Sequence, residues 1–157
     1  MIHELRIYEP IPGKLGAVNA RFADSTVDLF RKHGLYMLGF WTAEIGIGPE
    51  LTYIVSFEDM ADRDRKWASF QGDPVWQKIR AESEKDGLIM DRFRNTIMKL
   101  TQYSPNPPKV NSNVQELRIY DAMPGKLPNL HARFANHSTD FFRQYGMDVI
   151  GYWTDDV

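Results

Sequence analysis

The sequence predicts an α+β fold: a ferredoxin-like antiparallel sheet with helices on one face, followed by a partial second copy (β-α-β) of the same plan. Three observations carry this reading. The hydrophobic period switches between 2 and about 3.6 in the order β-α-β-β-α-β. A long segment recurs within the chain: 20 of the 39 positions from Glu4 to Thr42 are identical to those 112 residues later, without a gap. The composition, 43% hydrophobic and 25% charged over 157 residues, is that of a globular chain able to bury a core.

The elements of the first copy follow in order. His3, Leu5 and Ile7 alternate with Glu4, Arg6 and Tyr8, which reads as a strand. Pro12 and Gly13 turn the chain. Between Lys14 and His33 the residues Leu15, Val18, Phe22, Leu29 and Phe30 mostly follow a helical stripe, and Gly34 sits where a helix-ending glycine belongs. Residues 36–42 form a second strand, 46–49 (Gly-Ile-Gly-Pro) a turn and 52–57 a third strand. Asp59 is placed to cap a helix carrying Trp67 and Phe70. Asp73-Pro74 starts the next helix, with Val75, Trp76 and Ile79 on its apolar face, and residues 94–100 close the sheet.

The repeat sets the domain boundaries. Residues 1–103 form a complete unit, 104–113 a linker with three prolines and three asparagines, and 114–157 a truncated second unit. Within the second unit, residues 117–120 and 149–153 correspond to the first two strands. In a ferredoxin-like sheet the third strand lies between them, so these two strands lack their neighbour. The stub is therefore read either as cut from a longer two-unit parent or as a half-unit completed by another chain.

Several functions are excluded. A net charge of −2 argues against nucleic acid as a partner. The absence of cysteine removes disulfides, thiolate metal sites and cysteine nucleophiles. The four histidines form no ligand pattern; His131 and His137, six apart, lie about 240° from each other on a helix, so no metal is expected. Pro-Gly-Lys-Leu lacks the residues of a phosphate loop, and neither a nucleophile elbow nor a dinucleotide fingerprint occurs. No membrane span and no signal peptide is legible, and the chain is read as cytoplasmic.

Taken together, Glu-Leu-Arg-x-Tyr at 4–8, Pro-Gly-Lys at 12–14, His33-Gly34, Gly39-Phe40-Trp41 and Asp73-Pro74-x-Trp76 resemble the NIPSNAP family. The resemblance covers the first unit throughout and the second as far as it runs. It implies a dimeric α+β barrel, in which two ferredoxin-like units pack sheet against sheet. Related barrel families include cofactor-free monooxygenases, isomerases and haem enzymes. The NIPSNAP branch has no settled activity, and its animal members are associated with mitochondria and vesicle traffic. The shortened second copy departs from the two-unit pattern.

The candidate ligand-binding residues are Glu4, Arg6, Tyr8, Trp41, Trp67 and Trp76. Glu4, Arg6 and Tyr8 share one face of the first strand, where Arg6 can grip a carboxylate and Tyr8 a carbonyl; equally, they can form a structural network at a sheet–sheet interface. Trp67 and Trp76 wall a cavity or fill a core. Tyr8 and Trp41 are placed on the sheet face left uncovered by helices, and an uncovered aromatic face calls for a homodimer or a higher even assembly. The catalytic candidates are Tyr8 and His33. His33 is also read as a solvated helix end. Two functions stay open. One is a binder of a small organic molecule, with any chemistry cofactor-free; the other is a non-catalytic interaction module.

Overall fold

The computed structural model describes residues 1–106, 108–110 and 112–155. Pro107 and Asn111 of the expected linker, and residues 156 and 157 of the expected second unit, lie outside them. The chain divides into two compact units, Met1–Lys99 with Thr154–Val157, and Leu100–Trp153.

The first unit runs β1 (Ile2–Pro10), α1 (Leu15–Arg21), a π-helical segment (Phe22–Thr26), α2 (Val27–Lys32), β2 (Tyr36–Thr42), β3 (Leu51–Phe57), α3 (Met60–Gln71), α4 (Pro74–Ser83) and β4 (Met90–Leu100). The sheet order is β2-β3-β1-β4-β5, where β5 is the short strand Trp153–Asp155. The β-α-β-β-α-β order of the sequence therefore folds as expected, with a fifth strand added. β1 lies between β3 and β4, antiparallel to both, with Arg6 opposite Tyr53 on one side and Asn95 on the other. This register decides which side chains meet Arg6.

The caps behave as their residue types require. Asp59 accepts from the Asp62 amide, and Asp73 accepts from the Val75 amide with Pro74 beginning α4. Gly34 ends α2 at φ +71°, a left-handed conformation open to glycine.

Residues 14–33 correct the expected single stripe. Phe22 and Phe30 are eight apart, which on a regular α-helix separates them by about 80°. In the π-helical segment the Val27 amide bonds to the Phe22 carbonyl, one residue further than an α-turn reaches. That extra residue brings Phe30 back onto the face of Phe22, and their ring centroids lie 6.0 Å apart. Phe30 also meets Phe70 at 4.9 Å and Trp67 at 5.4 Å, both edge to face. Such pairs add about 0.5–1.5 kcal/mol each beyond burial.

The helices cover the face of the sheet that carries Ile2, Tyr53, Val55 and Phe57. Tyr8 is on this face, because its ring packs on Phe22 and Tyr53; the expectation that it shares the other face with Trp41 is corrected. Strand alternation alone cannot say which set of side chains turns toward the helices. Trp41 pairs with Thr52 on the second face. Leu5, Ile7, Ile54 and Met98 share that face by alternation along β1, β3 and β4.

Trp41 lies back over Gly39, where an added Cβ would come within 2.8 Å of the indole ring. Gly39→Ala is thus expected to displace the ring and cost about 1–3 kcal/mol, measured by urea unfolding. An unchanged midpoint would show that the ring swings clear.

The second unit holds α5 (Leu127–Arg133), a second π-helical segment (Phe134–Ser138) and α6 (Thr139–Gln144). It repeats the first unit's device: Phe142, eight residues after Phe134, has its ring 6.4 Å away. The two expected strands are corrected. Residues 117–120 form no strand, and residues 149–153 contribute only Trp153, the start of β5. A strand exists by virtue of its ladder partners, and residues 117–120 have none among those described.

Part of the missing third strand is replaced. Residues 101–104 lie beside Tyr152: the Thr101 amide donates to the Tyr152 carbonyl at 3.0 Å, and the Tyr152 amide donates to Ser104 Oγ at 2.9 Å. Tyr103 packs on Tyr152 at 5.2 Å. In the first unit Phe40, the counterpart of Tyr152, pairs with and stacks on Tyr53 at 5.3 Å. Tyr103 thus stands in for Tyr53.

Candidate functional site

The centre of the site is a buried carboxylate. Glu4 has no exposed surface. Its Oε1 accepts from Arg6 Nη1 at 2.7 Å, Arg63 Nη2 at 2.9 Å and Asn95 Nδ2 at 3.0 Å. Its Oε2 accepts from Arg63 Nε at 2.9 Å and Trp67 Nε1 at 2.8 Å. Arg63 and Trp67 are four apart on α3, so one helical turn delivers both donors. Asn95 arrives from β4 by strand register.

Burial alone pushes the Glu4 carboxyl up. The Arg63 hydrogen bonds, the Arg6 charge and the bonds from Trp67 and Asn95 outweigh it, and the net shift is downward. Glu4 is a saturated anion and no base.

Arg6 extends the network outward. Its Nε donates to the Tyr53 hydroxyl at 2.9 Å and its Nη2 to the Tyr8 hydroxyl at 3.2 Å. Its guanidinium lies 4.5 Å from the Trp67 ring and 5.0 Å from the Phe93 ring, which holds the plane by cation–π contacts. Burial opposes its charge, but Tyr53, Tyr8 and Glu4 reverse that and raise its pKa. Three of its five N–H groups are spent on Tyr53, Glu4 and Tyr8.

Tyr53 completes the chain. Burial, followed by the neighbouring Tyr8, pushes its hydroxyl well above the ordinary phenol range. It accepts from Arg6 and donates to Tyr8 at 2.9 Å. The Tyr8 oxygen therefore accepts two hydrogen bonds, and its own proton has no acceptor among the described residues. Beside it stands Phe93, 56% exposed.

Glu4, Arg6, Tyr8 and Trp67 are thus brought together, under the helices and not at a sheet–sheet interface. The other candidates lie elsewhere. Trp41 is on the second sheet face. Trp76 packs on Phe70 at 4.6 Å, with the Arg21 guanidinium 5.4 Å from its ring.

The expectation of a solvated His33 is corrected. Its Nε2 lies 2.7 Å from Asp73 Oδ2 and its Nδ1 2.8 Å from Ser69 Oγ, and its side chain is 11% exposed. Lys32 shares the same Asp73 oxygen at 2.7 Å. The Lys32 and His33 bonds and the Val75 amide hold the Asp73 carboxyl far below its usual range. This cluster ties the end of α2 to the junction of α3 and α4, and shares no partner with Tyr8.

Sequence reasoning missed Tyr53, Arg63, Asn95 and Phe93. The spacing of Arg63 and Trp67 is a usable signal; the strand residues are found only through topology. Two clefts open in the first unit. One of about 570 Å³ runs between α2 and β2 past Val27, Met37 and Phe40. One of about 930 Å³ lies between α1 and α4 past Ala20, Val75 and Ile79. Neither is lined by Arg6, Tyr8 or Trp76. Among the described residues no group of three acidic or histidine side chains is placed to hold a metal. No helix among them is long and apolar enough to cross a membrane.

A family model described as NIPSNAP matches residues 3–105. The chain belongs to the NIPSNAP family. The matched NIPSNAP region contains every residue of the Glu4 network, whereas the repeated Glu116, Arg118 and Tyr120 lie outside it. A NIPSNAP family protein with unknown function from Agrobacterium tumefaciens strain C58 is 27% identical, with a TM-score of 0.60 over 67% of this chain and 92% of that one. An uncharacterized NIPSNAP-like domain protein from Burkholderia xenovorans is 23% identical, with a TM-score of 0.61 over 71% and 95% of the two chains. It shares the fold. No curated protein matches the chain.

Proposed function

We propose that the first unit binds a small organic molecule through an oxygen atom held by the Tyr8 hydroxyl, with Arg6 behind it and Phe93 beside it. The observation that carries this is the unspent Tyr8 proton at the outer end of a buried hydrogen-bond chain. The two donors to the Tyr8 oxygen favour its acting as a hydrogen-bond donor to a carbonyl or carboxylate.

The site supports binding better than catalysis. Proton abstraction needs a base, but Glu4 is saturated by five donors and His33 is committed to Ser69 and Asp73. Cofactor-free oxygenase or isomerase chemistry would have to proceed through Tyr8 alone.

The test is a thermal-shift series with acetophenone, benzoate and salicylate on the chain and on Tyr8→Phe. At least one compound is expected to raise the melting temperature of the chain and to lose that effect in the variant. The variant itself is expected to lose only about 1 kcal/mol of stability. Equal shifts in both proteins, or none in either, would favour the second reading, a non-catalytic interaction module. The observation on its side is that neither cleft reaches Arg6 or Tyr8.

A further inference from the structure

α4 has an apolar face and yet no buried residue. Val75 is 52% exposed. With Ile79, one turn further on, it forms one wall of the cleft of about 930 Å³ between α1 and α4. Ala17 and Ala20, three apart on one face of α1, form the opposite wall. Methyl side chains raise no ridge for α4 to interlock with, so the two helices stand apart here. The cleft has the size of an ordinary small-molecule site.

Arg21 lines the same cleft, and its side chain is only 6% exposed. One end of it is anchored. Nη1 donates to Ser83 Oγ at 3.2 Å and to Glu84 Oε1 at 3.0 Å, and the guanidinium lies 5.4 Å from the Trp76 ring. The other edge, formed by Nε and Nη2, has no acceptor among the described residues, and Nε is shielded from solvent. Two N–H bonds run parallel along that edge and match the two oxygens of a carboxylate. A buried cationic donor without an acceptor is unfavourable, and bulk water does not reach Nε to relieve it.

We propose that the cleft between α1 and α4 binds an amphipathic monocarboxylate. Its carboxylate sits on the Nε–Nη2 edge of Arg21, and its hydrocarbon chain lies between the alanines of α1 and Val75 and Ile79 of α4. Of the exposed charges on the lining, Glu82 is paired with Lys85, and Lys78 and Asp24 offset each other. Arg21 therefore decides the charge of the ligand. No aromatic ring is among the lining residues, so the walls suit an alkyl chain better than a ring that needs a stacking partner. Contact with Nε takes a small parting of α1 from α4, which the facing alanines resist little. Tyr8 lines no part of this cleft, and the site is independent of the one proposed there.

The test uses the full chain, with decanoate below its micellar concentration as the probe and decanol as the neutral control. The Arg21 Nε–H proton resonance, assigned by its loss in Arg21→Lys, is expected to move downfield with decanoate and to stay in place with decanol. Decanoate affinity, measured by calorimetry, is expected to fall about tenfold or more in Arg21→Lys. The same fall is expected in Ala20→Leu, which fills the cleft from an exposed helical position and leaves Arg21 untouched. Ala20→Leu therefore decides the matter even where Arg21→Lys loses stability. Tyr8→Phe is expected to bind decanoate as the parent chain does. Decanoate binding that survives Ala20→Leu, or that is lost in Tyr8→Phe, overturns the proposal. So do equal affinity for decanol, an Nε–H resonance that saturating decanoate leaves unmoved, and the absence of any binding.

Discussion

Glu4→Ala is expected to cost about 3–5 kcal/mol of folding stability. The substitution leaves the buried Arg6 guanidinium without its anion and strips Arg63, Trp67 and Asn95 of an acceptor in one step. Arg6→Ala is expected to do less, because Arg63, Trp67 and Asn95 still hold the carboxylate. The order of the two, read from urea unfolding, tests whether Glu4 is the centre of the network. The same residue gives the fold an acid limit. Burial raises the Glu4 pKa, Arg63 and Arg6 more than reverse this, and the folded value lies below the ordinary 4.5. Its contribution is therefore complete above pH 4.5 and is lost as pH falls through the folded value. Asp73, also shifted downward, acts in the same direction. Unfolding free energy measured from pH 7 to pH 2.5 should fall below about pH 4.5 in the parent chain and less steeply in Glu4→Ala. A variant as stable and as acid-sensitive as the parent would mean that the carboxylate is not buried.

Trp67→Ala is expected to cost about 3–5 kcal/mol, and Trp67→Phe roughly 1 kcal/mol. The indole does three things at once. It fills the core against Phe30, Phe57 and Phe70. It also stacks on Arg6 and donates to Glu4. Phenylalanine keeps the first two in part and loses only the donor, leaving four donors on the carboxylate. A phenylalanine variant as damaged as the alanine one would show that the N–H, and not the ring, dominates.

Much of this was legible in the residues, and the gaps have physical causes. Alternation put Glu4, Arg6 and Tyr8 on one face, and that held. It could not say which face meets the helices, because a polar set is ordinarily placed outside. Here five N–H donors make the burial of Glu4 tolerable: one on Arg6 of the same strand, and four from Arg63 and Trp67 of α3 and Asn95 of β4, which lie 59 to 91 positions away in sequence. The caps at Asp59 and Asp73 were readable because capping is local. Residues 117–120 carry the same letters as the corresponding residues of β1 and yet are not a strand, since pairing partners rather than letters make a strand. The family resemblance was readable because its motifs lie in order along the first copy. The role of Tyr103 was not, because a substitute that arrives from the wrong part of the repeat leaves no trace in a comparison of the two copies.

The wide turn that follows Arg21, and its twin after Arg133, bears on how this helix can change length. Phe22 and Phe30 share a face only because one surplus residue is absorbed between them. Removing a single residue from 23–26 would leave them seven apart, and seven residues of a regular α-helix bring a side chain back to within about 20° of its start. The core would keep both rings in phase. Adding a residue has no such escape, because it demands a second wide turn in the same short stretch. A one-residue deletion here is therefore conformationally mild and a one-residue insertion severe, an asymmetry that an ordinary helix of the same length does not have.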